Sequence, residues 1–144
     1  MIAVDTNILV HAHRAGDPRH PRASAALRQL VDGQASWAVP WPCFHEFLTV
    51  VTHPRVYDPP TTMSVALQAV EAIRSSPAMV TLGEAPGHGA VLARLLLASR
   101  AVGPKVHDAK IAAICLSHGV TELWTADRDF SYFPELRTRN PLVA

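Results

Sequence analysis

Four short, largely apolar runs, Ile2–Val4, Ser36–Pro40, Met79–Leu82 and Glu122–Thr125, are separated by longer segments whose apolar residues recur at helical spacing. Runs this brief are too short for helices, and Ile2–Val4 reads as a strand buried on both faces. Short strands that alternate with helices fold as an α/β domain, because a helical crossover is what joins parallel neighbours. The helices are expected over Ile8–His13, after Pro18 and Pro21 up to Gly33, and from Pro42 through PCFHEFLTVVTH. In the last of these Phe44, Phe47, Leu48 and Val51 mark one face. A further helix, capped by Thr61 or Thr62, ends near Pro77. Two more cover Gly87–Val102 and Lys105–His118, the second closed by Gly119 in the left-handed conformation. A short fifth strand is expected near Arg137–Arg139, and the sheet is expected to be mostly parallel. No repeat or low-complexity tract divides the chain, so residues 1–144 are expected to form one domain. With 49% hydrophobic and 17% charged residues, the chain can bury a core without staples.

Asp5 stands directly after the first apolar run, with Thr6 and Asn7 behind it, and the chain turns apolar again at Ile8. A carboxylate in such a place has to be paired, solvated in a cleft or bound to a metal. It also lies at the C-terminal end of its strand, the edge of an open parallel sheet where ligands bind. Asp127 occupies the same end of the fourth strand, with Asp129 two residues on. Asp108 falls in the first turn of its helix, where it reads either as a plain helix-terminal acid or as a group pointing along the buried face. Glu46 lies between Cys43 and Val50 on a mostly apolar helix, so it is expected away from open solvent, with an arginine or with other acids. Acids gathered in one place raise one another's pKa unless a cation sits among them. An oxygen-only set suits Mg²⁺ or Mn²⁺, and such a site fits metal-assisted phosphodiester hydrolysis.

The motifs VDTNILV, HEF, VHDAKIAAICLSHGV and WTADRDF occur in this order along the chain. On these motifs the sequence resembles the PIN-domain ribonucleases, specifically the VapC-type toxins of prokaryotic toxin–antitoxin pairs, over essentially its whole length. The resemblance implies a three-layer α/β/α sandwich around a parallel sheet, a homodimer, and Mg²⁺-dependent endonucleolytic cleavage of RNA, with Mn²⁺ as a substitute. It carries the family's acidic quartet onto Asp5, Glu46, Asp108 and Asp127, with Asp5 and Asp108 as principal metal ligands. Asp129 matches a further acid, and Thr6, Asn7 and Thr125 match polar positions that orient ligands or water. A small cognate antitoxin is the implied partner. Val56, Tyr57, Met63 and Leu67 are offered as apolar residues that receive it, with core packing as the competing explanation.

The formal net charge of +1 argues neither for nor against nucleic acid. Arg14, His107 and Arg128 are the candidate RNA contacts. Arg14 belongs to the densest basic stretch, and the other two stand beside acids of the quartet. The two cysteines, Cys43 and Cys115, lie far apart in apolar helical patterns and read as small buried hydrophobes. No basic segment precedes Asp5 and no apolar stretch reaches membrane-spanning length, so a cytoplasmic protein without membrane association is expected. Other classes fit less well. A phosphotransferase using Asp5 as nucleophile wants a second aspartate where Asn7 stands, and a receiver domain wants a lysine after a late strand. A non-catalytic RNA- or antitoxin-binding module is the remaining alternative.

Overall fold

The computed structural model describes residues 1–143. Five strands, β1 (Ile2–Val4), β2 (Trp37–Pro40), β3 (Met79–Leu82), β4 (Glu122–Trp124) and β5 (Thr138–Arg139), form one sheet in the order β3-β2-β1-β4-β5. Every described pairing is parallel, so the sheet is more uniform than the sequence expectation. Ile2 stands opposite Trp37 on one side and Glu122 on the other. The central strands are apolar all along because both of their faces are covered. Ala3, Val4, Trp37, Ala38, Val39 and Leu123 are completely buried.

Six α-helices among the described residues connect β1 to β4: α1 (Thr6–His13), α2 (His20–Asp32), α3 (Trp41–Val51), α4 (Met63–Arg74), α5 (His88–Ser99) and α6 (Lys105–Ser117). From β1 the chain moves to β2 and β3 in one direction, then returns past β1 to β4. Right-handed crossovers place α1–α4 on one face and α5 and α6 on the other, the expected three-layer arrangement. The packing of α1 on α2 and α3, of α3 on α4, and of α5 on α6 agrees with this. The strand order reverses between β1 and β4, where the crossovers leave in opposite directions and open a crevice above the strand ends.

Local chemistry explains the helix ends. α1 starts two residues before its expected start because Asp5 caps it, accepting from the Thr6 amide. Thr62 rather than Thr61 caps α4, its hydroxyl accepting from the Val65 amide, and Thr61 is engaged elsewhere. α5 stops at Ser99, short of the expected Val102, because Arg100 turns left-handed at φ 58°. Gly119 closes α6 at φ 73°, a conformation that favours glycine, with the Val120 amide reaching back to the Cys115 carbonyl. No helix among the described residues is long and apolar enough to cross a membrane.

Candidate active site

Asp5 is only 4% exposed, and its carboxylate is met entirely by protein donors. Oδ1 accepts from the Thr6 amide at 2.8 Å and from the Cys43 thiol at 3.5 Å. Oδ2 accepts from the Thr125 hydroxyl at 2.7 Å and the Asn7 amide nitrogen at 3.1 Å. Burial pushes the Asp5 carboxyl above its ordinary value, and these bonds oppose that shift. The chain therefore tolerates a carboxylate in its core by saturating the four lone-pair positions it offers.

The donors are themselves locked. The Thr125 hydroxyl accepts from Asn7 at 3.2 Å and from the Asp127 amide at 3.0 Å, which uses all its bonding capacity. The Asn7 carbonyl oxygen accepts from the Ala126 amide at 2.9 Å, fixing the orientation of the side chain. The first turn of α1 is thereby sewn to the segment leaving β4. The Thr6 hydroxyl is shared between the Cys43 carbonyl at 3.4 Å and the Glu46 carboxylate at 3.2 Å.

Asp5, Glu46, Asp108 and Asp127 line one cavity of about 260 Å³, together with Thr6, Asn7 and Ile111. The four candidate acids thus meet, although they come from four separate segments. Asp108 faces this cavity from the first turn of α6. Burial, and then the charges of Asp127, Asp5 and Asp129, push its carboxyl up to about 6. Oxygens of Asp108, Asp127 and Asp129 approach within 4.8 Å of one another. Asp5, expected as a principal metal ligand, is not in that tight group, although its charge is close enough to raise the Asp108 carboxyl.

Glu46 departs from its expected environment. It is exposed, because the α3 face that carries His45, Glu46 and Thr49 opens toward α6 across a second cavity of about 510 Å³. The partner of Glu46 is Thr6, not an arginine. Asp127 caps the short 3₁₀ helix Arg128–Tyr132, accepting from the Asp129 amide at 2.8 Å. Lys105, not the exposed Arg128, pairs with Asp129, at 3.3 Å. His107 lines the second cavity with its Nδ1 3.4 Å from the Lys110 ammonium. Arg14 is committed to the loop after α3, donating to the Pro59 carbonyl and the Thr61 hydroxyl, both at 3.1 Å. Both cysteines are buried and free.

Sequence reading did not single out Cys43 as an Asp5 donor, Lys105 as the Asp129 counter-ion, or the His11–Tyr57 end of the cavity. Cys43 carried a usable signal, standing one turn before Glu46 on α3. Lys105 carried none, because its partner lies 24 residues on, across the α6–β4 connection.

This arrangement has relatives. The chain belongs to the PIN-domain family, whose model matches residues 2–136. Ribonuclease VapC48 of Mycobacterium tuberculosis is 33% identical over 137 residues, covering 95% of this chain and 94% of that protein. Ribonuclease VapC43 of the same organism is 36% identical over 142 residues, covering 99% and 96%. Among solved structures, a toxin–antitoxin complex from Klebsiella pneumoniae superposes with a TM-score of 0.64 at 18% identity, covering 98% of each chain.

Proposed function

We propose that this protein is a divalent-metal-dependent endoribonuclease, the toxic component of a toxin–antitoxin pair, acting as one PIN domain across residues 1–144. The observation that carries the reading is the convergence of Asp5, Glu46, Asp108 and Asp127 on one cavity at the sheet edge where the strand order reverses between β1 and β4. The ribonuclease names of its relatives support RNA as the substrate.

The donor set fits a hard cation. It consists of carboxylate oxygens alone, crowded enough to push Asp108 to about 6, which is the electrostatic condition a bound cation relieves. Asp5 and Asp108 would hold Mg²⁺ or Mn²⁺, with Asp127 and Asp129 beside them, and Asp5 would do so by exchanging its weakest donor, the Cys43 thiol at 3.5 Å, for the ion. When bound, the ion supplies Lewis-acid polarisation of the phosphate and its attacking water. Thr125, Asn7 and the Thr6 amide hold Asp5 in one orientation. Thr6 aims Glu46 at the cavity, and Lys105 offsets part of the local negative charge through Asp129. His107, Arg128 and Arg14 are the candidate phosphate contacts, and Arg14 reaches RNA only by yielding its loop bonds.

The proposed partner is a small cognate antitoxin, in a homodimeric toxin acting in the cytoplasm. Support for the antitoxin comes from Val56, Met63 and Leu67, which are 53%, 51% and 48% exposed and so are not accounted for by core packing. The deciding experiment is cleavage of total cellular RNA by purified protein in Mg²⁺ or Mn²⁺, with EDTA and Asp5→Asn as controls. Discrete fragments that vanish in both controls are expected. Cleavage that survives Asp5→Asn, or no cleavage by antitoxin-free protein, would overturn the catalytic reading in favour of a binding module.

A further inference from the structure

The acidic cavity has a second end, built of different chemistry. Along α1 its lining passes from Asn7 to Val10 and His11, and along α3 from Glu46 to Val50, one helical turn or about 5.4 Å further on. Tyr57, on the loop that follows α3, completes this end, and Ile111 of α6 adds a further apolar wall.

Tyr57 is held in place. The Arg14 guanidinium lies 4.2 Å from its ring centroid, and the same guanidinium ties down Pro59 and Thr61. Thr61 is fixed in turn by His13 at 3.0 Å and by its own amide on the Val51 carbonyl at 2.8 Å. Tyr57 borders two cavities, the acidic one and a second lined by Arg14, Asp17 and Val56, and it is partly buried against the core, so the guanidinium is not among the groups that line the acidic cavity beside it.

His11 is oriented just as firmly. Its Nδ1 lies 2.7 Å from Asp17 Oδ2, and Asp17 Oδ1 accepts from the Arg19 amide at 2.8 Å. A carboxylate only accepts, so in the neutral ring Nδ1 carries the hydrogen and Nε2 keeps its lone pair. Among the described residues Nε2 has one hydrogen-bond partner, Arg19 Nη1 at 3.4 Å, a contact long enough for an incoming donor to displace.

We infer that this end of the cavity is a nucleobase subsite, in which Tyr57 stacks on the base beside the cleaved phosphate and His11 Nε2 accepts from that base's exocyclic amino group. The inference rests on the ribonuclease reading above. Single-stranded RNA is read by stacking on aromatic rings and by hydrogen bonds to base edges, and this end offers one of each. Stacking tolerates any base, whereas the His11 contact selects, because adenine, guanine and cytosine carry an exocyclic amino group and uracil does not. Arg14 and Asp17 are positioning residues, holding Tyr57 and His11 respectively.

The test uses short single-stranded RNAs that contain one cleavage site. Each position flanking the cleaved bond is varied through the four bases and an abasic ribonucleotide. Wild type, Tyr57→Ala, Tyr57→Phe and His11→Ala are compared by initial rate. At one flanking position the abasic RNA and Tyr57→Ala should each slow cleavage about tenfold, without adding to one another, and Tyr57→Phe should restore the rate. Uracil there should be the slowest base for wild type, and His11→Ala should erase that penalty. The subsite is overturned if wild type cuts abasic RNA at full speed at both positions, if Tyr57→Phe fails like Tyr57→Ala, or if uracil carries no penalty. Wild-type protein that cuts none of these RNAs, or cutting that persists in Asp5→Asn, removes the ribonuclease reading and the subsite with it.

Discussion

Replacing Asp108 by asparagine should stabilise the metal-free protein while abolishing its cleavage of RNA. Burial and the neighbouring acids push the Asp108 carboxyl from 3.8 up to about 6. An acid whose pKa is higher folded than unfolded contributes stability that is full below about 3.8 and is lost as the pH rises through 6. The interval corresponds to roughly 3 kcal/mol at 1.36 kcal/mol per pH unit. That figure is a ceiling, since Asp108 is only partly buried and solvent in the cleft screens its neighbours, reducing the effect to about 1–1.5 kcal/mol. Asparagine also forfeits the favourable interaction of a charge with the α6 N-terminus, about 0.3–1 kcal/mol. The balance is a gain of about 0.5 kcal/mol over wild type as the pH goes from 4 to 7.5 in EDTA. Urea unfolding at both pH values measures it. Adding Mg²⁺ at pH 7.5 should then stabilise wild type more than the variant. A variant less stable than wild type at pH 7.5, or a difference that does not change with pH, would refute the claim that these acids repel one another in the folded chain.

Thr125→Val keeps the shape of the side chain but removes a donor to Asp5 and the acceptor for Asn7 and the Asp127 amide. It should cost about 2–3 kcal/mol in urea unfolding, and Thr125→Ser should recover most of that. Thr62→Ala deletes the α4 cap and should cost about 1 kcal/mol, with RNA cleavage unchanged when both are measured on one preparation.

What could be read from the sequence were features set by short-range chemistry. β1, β3 and the extent of α6 are legible because apolar runs, helical spacing and Gly119 at the end of α6 each impose a local constraint. Asp5 and Asp127 could be sent to one edge because strand ends fix where their side chains emerge, whereas Asp108, readable also as a plain helix-terminal acid, joined them only through the family resemblance. Glu46 shows where such reasoning stops. Its apolar neighbours along α3 predict a sheltered position, but the side chain is exposed because α3 and α6 stand apart there, and no local pattern encodes that gap. Lys105 and Asp129, and likewise Arg14 and Tyr57, meet only through tertiary packing. For Asp5 the sequence leaves pairing, solvation in a cleft and a metal open, and the four protein donors that meet its carboxylate come from Thr6, Asn7, Cys43 and Thr125, the last two brought there only by folding.

The link between Thr125 and Asp5 spans 120 residues, and it dictates when during synthesis the site can exist. β1 is made first, yet one of its two partners in the sheet, β4, comes almost last. A chain still emerging from the ribosome can pair β1 with β2 while the opposite edge of β1 stays bare and the Asp5 carboxylate lacks its Thr125 donor. The acids therefore assemble only once Asp127 has been made. A growing chain is a disarmed one, and its open β1 edge is the surface on which aggregation competes with completion of the sheet.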